Sequence, residues 1–187
     1  MARQRKVAKQ NRRQAILAAA LTIGIIVAGV YFLSGYSQPQ SKAVLEFSIP
    51  MSIQVENNNA SQIRYIVPPL IGRPGGTWMT SALTRYGVNS NYPLYTDLPA
   101  ANYSGYTVIH VASNTVYNFT LGDFFAVWGQ PIGPNQTLTL QSHPPDGAIW
   151  SMCVGPSQTQ LRPGMWGNEV LKSGSPIILI YGRTGCL

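Results

Sequence analysis

Residues Ala15 to Tyr36, AILAAALTIGIIVAGVYFLSGY, form an apolar run with no Asp, Glu, Lys, Arg or His. About 20 apolar residues carry an α-helix across roughly 30 Å of hydrocarbon. The run therefore predicts a transmembrane helix over 15–36. Tyr31, Phe32 and Tyr36 gather at its far end, where amphipathic rings favour the membrane interface. Six basic residues, Arg3, Arg5, Lys6, Lys9, Arg12 and Arg13, precede the run, and Lys42 alone closely follows it. Positive charge is retained on the cytoplasmic side. The expected topology is thus single-pass in the cell membrane, with residues 1–14 as a basic cytoplasmic tail and the C-terminal part extracytoplasmic. A cleaved signal peptide fits less well, because its apolar core is about 7–15 residues long and ends at a small-x-small site.

This arrangement gives the net charge its meaning. The formal charge is +7, yet the chain from Ala15 onward holds seven basic and six acidic residues, which leaves +1. Charged residues make up 10% of the chain, against about 25% in an average soluble domain. A nucleic-acid-binding domain and a charge-rich disordered chain are both excluded by that distribution. The lipid bilayer is the expected partner through 15–36, and the basic tail reads as setting topology rather than as a site for an anionic partner.

All 14 prolines lie beyond Tyr36, and the polar stretch 37–42 reads as a linker. The remainder, 43–187, is long enough for one core and short for two. Apolar runs punctuated by Gly, Pro and Asn predict strands at Val44–Val55, Arg64–Val67, Tyr106–Ala112, Thr115–Phe119, Thr137–Leu140, Ala148–Val154 and Ile177–Tyr181. Ser113-Asn114 reads as a two-residue hairpin turn. Thr120-Leu121-Gly122-Asp123 matches a capping box and opens a helix that Gly129 and Pro131 close. A second helix is expected over Thr77 to Tyr86. The predicted class is α+β: a β-rich extracytoplasmic domain with one or two short helices, behind an N-terminal transmembrane helix.

The two cysteines, Cys153 and Cys186, both fall on the oxidising side, where a disulfide is expected. Four N-x-[ST] sequons, at Asn59, Asn102, Asn118 and Asn135, are consistent with a glycoprotein surface.

Chemistry is thinly provided for. The outer domain has two histidines, His110 and His143, and six carboxylates, Glu46, Glu56, Asp97, Asp123, Asp146 and Glu169. No nucleophile elbow, HExxH, CxxC, P-loop or dinucleotide fingerprint occurs. Asp123 serves the cap, and Glu46, Glu56 and Glu169 read as residues of a solvated face. The chain is therefore not expected to be an enzyme. His110, His143 and Met152 are the conceivable ligands of a copper-type metal site, copper being the cofactor that soft and borderline donors suit. Against that, His110 lies in the apolar strand YTVIHVA, where a packed, hydrogen-bonded histidine is the plainer reading. Trp78, Tyr86, Tyr92, Tyr95, Tyr103 and Tyr106 crowd one Pro- and Asn-rich segment. They offer contact area for a protein or a sugar, or they cover the core beneath a long loop.

The stretch PLYTDLPAANYSGYTVIHVASNTVYNFTLGDFFAVWGQPI resembles a family of membrane-anchored outer domains best represented in archaea, whose pattern is PLHTHDxxGxIHxES followed by LGxFFxxWG. IPMSIQV…IVPPLIG and NEVLKSGSPIILIYG are similar to the family's first strand and closing segment, so the resemblance runs from Ile49 to Gly182. It implies a histidine-rich metal site, which this chain largely lacks. The family's HTHD is here Tyr95-Thr96-Asp97, and His110 alone keeps its motif position. The expected function is accordingly non-catalytic: an accessory or structural subunit of a membrane or cell-envelope complex, with a protein partner and no nucleic acid. An extracytoplasmic copper-binding module is the alternative, and a carbohydrate-binding module a weaker one.

Overall fold

The computed structural model describes residues 42–56, 62–97, 106–143, 147–157, 159–182 and 186. The expected helix over 15–36 lies outside them. Among the described residues, no helix is long and apolar enough to cross a membrane.

Among the described residues, a seven-stranded mixed sheet organises the chain beyond residue 41. Its strands are β1 (Leu45–Glu56), β2 (Gln62–Tyr65), β3 (Leu94–Thr96), β4 (Thr107–Ser113), β7 (Ile149–Ser157), β8 (Gln160–Pro163) and β9 (Ile177–Gly182). They lie in the order β3-β4-β1-β9-β7-β8, with β2 also on β1. β1 and β9 run parallel, and the other ladders are antiparallel. β5 (Gln136–Thr137) and β6 (Leu140–Gln141) form a separate small ribbon. The β-rich class with a helix is therefore observed.

Period-2 alternation decides which side of the sheet is buried. Ile49, Met51 and Ile53 of β1, Ile109 and Val111 of β4, Met152 and Val154 of β7, and Ile177 and Leu179 of β9 enter the main core. Over this face lies α1 (Leu121–Trp128), which contributes Leu121, Phe124, Phe125, Val127 and Trp128. The capping box forms as its sequence dictates. Asp123 N–H donates to Thr120 Oγ1 at 3.2 Å, and the Asp123 carboxylate accepts from Thr120 N–H at 2.9 Å. Gly129, in the left-handed region with φ 75°, ends the helix.

The opposite face is more polar. It carries Ser48, Tyr95 and His110, together with a small cluster of Cys153, Ile178, Ile180, Leu161 and Cys186. Cys153 and Cys186 are bonded, with Cα atoms 5.5 Å apart, so the C-terminal segment is stapled to β7.

Five expectations give way. Ser113-Asn114 makes no hairpin, and Thr115–Phe119 is not a strand. Asn114 N–H and Nδ2 instead donate to the carbonyls of Tyr86 and Arg85, which pulls the chain off the sheet toward the N-cap of α1. The helix over Thr77–Tyr86 shrinks to a 3-10 turn at Thr84–Tyr86, because Thr80 O, the helical acceptor for Thr84 N–H, takes Trp78 Nε1–H, and Thr84 N–H bonds to Ser81 O. The strand over Thr137–Leu140 breaks at Leu138, whose φ is 56°, and its halves pair as β5 and β6. Glu169 is no solvated residue: it is 3% exposed and ion-paired with Arg162.

Candidate functional site

The polar face holds the densest group of chemistry-bearing side chains. Ser48 and His110 are cross-strand partners, as are Tyr95 and His110. Ser48 Oγ lies 3.1 Å from His110 Nδ1, and His110 Nε2 lies 3.2 Å from an Asp97 carboxylate oxygen. The other Asp97 oxygen pairs with Arg73. Arg73 reaches this position from a turn in which Gly72 has φ 70°, and a Cβ there would sit 2.2 Å from Leu94 O. Only glycine satisfies both conditions.

Tyr95 is enclosed by the same group. The Arg73 guanidinium lies 4.4 Å over one side of its ring system, and the His110 ring stacks on it at 5.2 Å and 20°. Burial pushes the Tyr95 hydroxyl above the usual tyrosine range, and the nearby Arg73 charge works against that shift.

The order Ser–His–Asp invites comparison with an acyl-transfer triad. The surroundings do not complete one. Ser48 lies on His110 Nδ1 and Asp97 on Nε2, the reverse of the triad order, in which the serine faces Nε2 and the acid Nδ1. The contacts fasten the turn carrying Arg73 to the sheet edge, and the buried Arg73 Nε has no hydrogen-bond partner among the described residues.

The three candidate metal ligands are not brought together. His110 projects on the polar face of β4, whereas Met152 is 3% exposed on the core face of β7, where its sulfur accepts Trp166 N–H at 3.1 Å. His143 precedes β7 and is exposed, with Nδ1 2.7 Å from Gln141 O. β4 and β7 are separated by β1 and β9, a lateral distance of about 14 Å at sheet spacing. Among the described residues no group of three or more His, Cys, Asp or Glu could hold a metal ion.

The aromatic candidates divide similarly. Tyr92 is 1% exposed and belongs to the core, so it cannot serve as a contact surface. Trp78 packs edge-on against Tyr92 at 5.5 Å, and its Nε1 donates to Thr80 O. Tyr86 stacks on Tyr117 at 4.9 Å and lies beneath Arg85. Tyr106 is half-buried, and Tyr103 lies outside the described residues. With their faces occupied, Tyr86 and Tyr95 offer no free platform on which a sugar ring could stack. Of the sequons, Asn118 and Asn135 are exposed, while Asn59 and Asn102 lie outside the described residues.

A shallow pocket of about 190 Å³ lies elsewhere, between β7–β8 and the segment from Glu169 to Ile177. Its buried Glu169 carboxylate is already bound by Arg162 at 2.7 Å and by Met165 N–H at 2.9 Å.

A more suggestive feature was not singled out from the sequence. At the end of β1 where β2 pairs, Ile63, Tyr65, Ile66 and Met79 are exposed by 56%, 42%, 81% and 70%. Tyr65 leans on Trp128 at 6.3 Å, and Met79 lies against the neighbouring Gly129, so these side chains extend the core outward as an apolar ledge. Among the described strands, β2 pairs with β1 alone. The available sequence signal was the apolar character of IRYIV in a segment too short to be an interior strand. No family model, curated protein or solved structure matches this chain.

Proposed function

We propose that this chain is a single-pass membrane protein, N-terminus cytoplasmic, whose extracytoplasmic domain acts without catalysis as an accessory or structural subunit of a membrane or cell-envelope complex. The observation that carries the reading is the set of exposed apolar side chains Ile63, Tyr65, Ile66 and Met79 on and beside β2. Exposed apolar surface of this kind suits a protein partner, which would bury the side chains. The cross-strand Ser48–His110 contact and the Asp97–Arg73 pair, which tie β1, β4 and the Arg73 turn together, support a structural use of the polar residues. The disulfide fits an oxidising compartment.

The test is purification of the full-length protein in mild detergent, beside an Ile63→Asp/Ile66→Asp variant. A partner at fixed stoichiometry is expected with the wild type and lost with the variant. The reading fails if the wild type runs alone as a monomer, or if the variant retains the partner while keeping its disulfide and circular dichroism.

A further inference from the structure

A second exposed apolar surface lies at the other end of β1, about 35 Å from the ledge at strand rise. Val44, Val116 and Tyr117 are exposed by 63%, 74% and 39%. The segment that carries Val116 and Tyr117 leaves β4 beside Val44: Val44 N–H donates to Ser113 O, and Asn114 N–H donates to Tyr86 O. Tyr117 stacks on Tyr86, and Arg85 lies 4.7 Å over Tyr86 while donating to its hydroxyl at 2.7 Å. Arg85 and Lys42 are both exposed here. The surface thus combines aliphatic side chains, a paired tyrosine stack and cations. That combination matches the headgroup–acyl boundary of a bilayer, where amphipathic rings and snorkelling cations are favoured.

We infer that this face docks on the bilayer surface, with Val116 and Tyr117 inserted at the headgroup level and Arg85 and Lys42 on anionic headgroups. The inference rests on the membrane-anchor reading above. If the apolar run ends at Tyr36, five residues separate it from Lys42, and they reach at most about 20 Å. Val44, and with it the surface it shares with Ser113, is then held within reach of the headgroups. The ledge at the far end of β1 has no such constraint and remains available to a protein partner.

The test uses the full-length chain reconstituted in vesicles that carry a photoactivatable phospholipid, with the cross-linked residues mapped by mass spectrometry. One set of vesicles is zwitterionic and the other contains about a third anionic lipid. Adducts are expected within residues 15–36 and also at Val44 and Val116–Tyr117, the latter rising several-fold with anionic lipid. A Val116→Asp/Tyr117→Asp variant should lose most adducts at the docking face while keeping those in 15–36. Adducts in 15–36 with none at Val44 or Val116–Tyr117, or with equal labelling of Ile63 and Ile66, overturn the inference and leave the anchor intact. Absence of adducts in 15–36, with release of the protein by alkaline carbonate, overturns the anchor and the docking face together.

Discussion

Ser48 and His110 stand opposite each other in the β1–β4 ladder, their side chains 3.1 Å apart, and His110 reaches Asp97 with its second ring nitrogen. Register creates this contact: a one-residue slip of β4 against β1 would turn His110 to the core side and leave Ser48 on the polar face. The side chains of Arg73 and Asp97 are 31% and 45% exposed, so solvent screens the pair and its worth is small. Asp97→Asn should lower stability by less than about 1 kcal/mol in urea titrations. A fluorophosphonate probe should leave Ser48 unlabelled, and a covalent adduct there would contradict the non-catalytic reading.

Glu169 is held differently. At 3% exposure its carboxylate accepts from Arg162 and from Met165 N–H. Glu169→Gln keeps an acceptor for the Met165 N–H and should be tolerated best. Glu169→Leu leaves that donor unmet and should cost about 1–3 kcal/mol. Arg162→Met strands the buried carboxylate and should destabilise more than Glu169→Gln. Denaturant midpoints of the three variants give the order directly.

The Cys153–Cys186 bond closes a loop with a sequence separation of 33. By the loop-entropy relation it stabilises by about 3–4 kcal/mol. A Cys153→Ala/Cys186→Ala variant should unfold at correspondingly lower denaturant. A loss below about 1 kcal/mol would mean that β7 and β9 hold the C-terminal segment without the staple.

Removing the Thr120 hydroxyl unmakes the capping box, because Thr120 Oγ1 accepts from Asp123 N–H and also contacts its carboxylate. Thr120→Ala should cost about 1 kcal/mol, and Thr120→Ser should recover most of it. Thermal unfolding of the pair measures the difference.

Local chemistry was legible where it is self-contained. The capping box and the alternating strands β1, β4, β7 and β9 follow from neighbouring residues, and the disulfide from an even pair of cysteines. Legibility failed where a distant group claimed the backbone. Nothing near Asn114 announces that the Tyr86 and Arg85 carbonyls will take its donors. Likewise, nothing near Met79 announces that its N–H will bond across to Val127 O. The short strand β3 was hidden among tyrosines and prolines, and its edge is covered by Ile71, whose carbonyl accepts Thr96 N–H. The Asp97–His110 contact needed that same strand to be known, since β3 brings residue 97 alongside β4. Composition did show that catalytic groups were few. It did not show that Ser48, His110 and Asp97 would meet.

Tyr92 supplies a stability signature on the alkaline side. Its pKa is raised above the ordinary value of 10.0, with burial the largest cause and the charge of Asp123 a smaller one. A raised value in the folded state means that the neutral hydroxyl is favoured there, while the unfolded chain ionises first. The associated stability is therefore fully present below pH 10 and is lost as pH rises from 10 toward the folded value. Urea midpoints measured from pH 9 to 11 should be flat at first and then fall. Tyr92→Phe, which keeps the ring in the core, should reduce the slope of that fall. An unchanged slope in the variant would transfer the effect to other tyrosines, with Tyr95 the first to test, because its hydroxyl shifts in the same direction against the pull of Arg73.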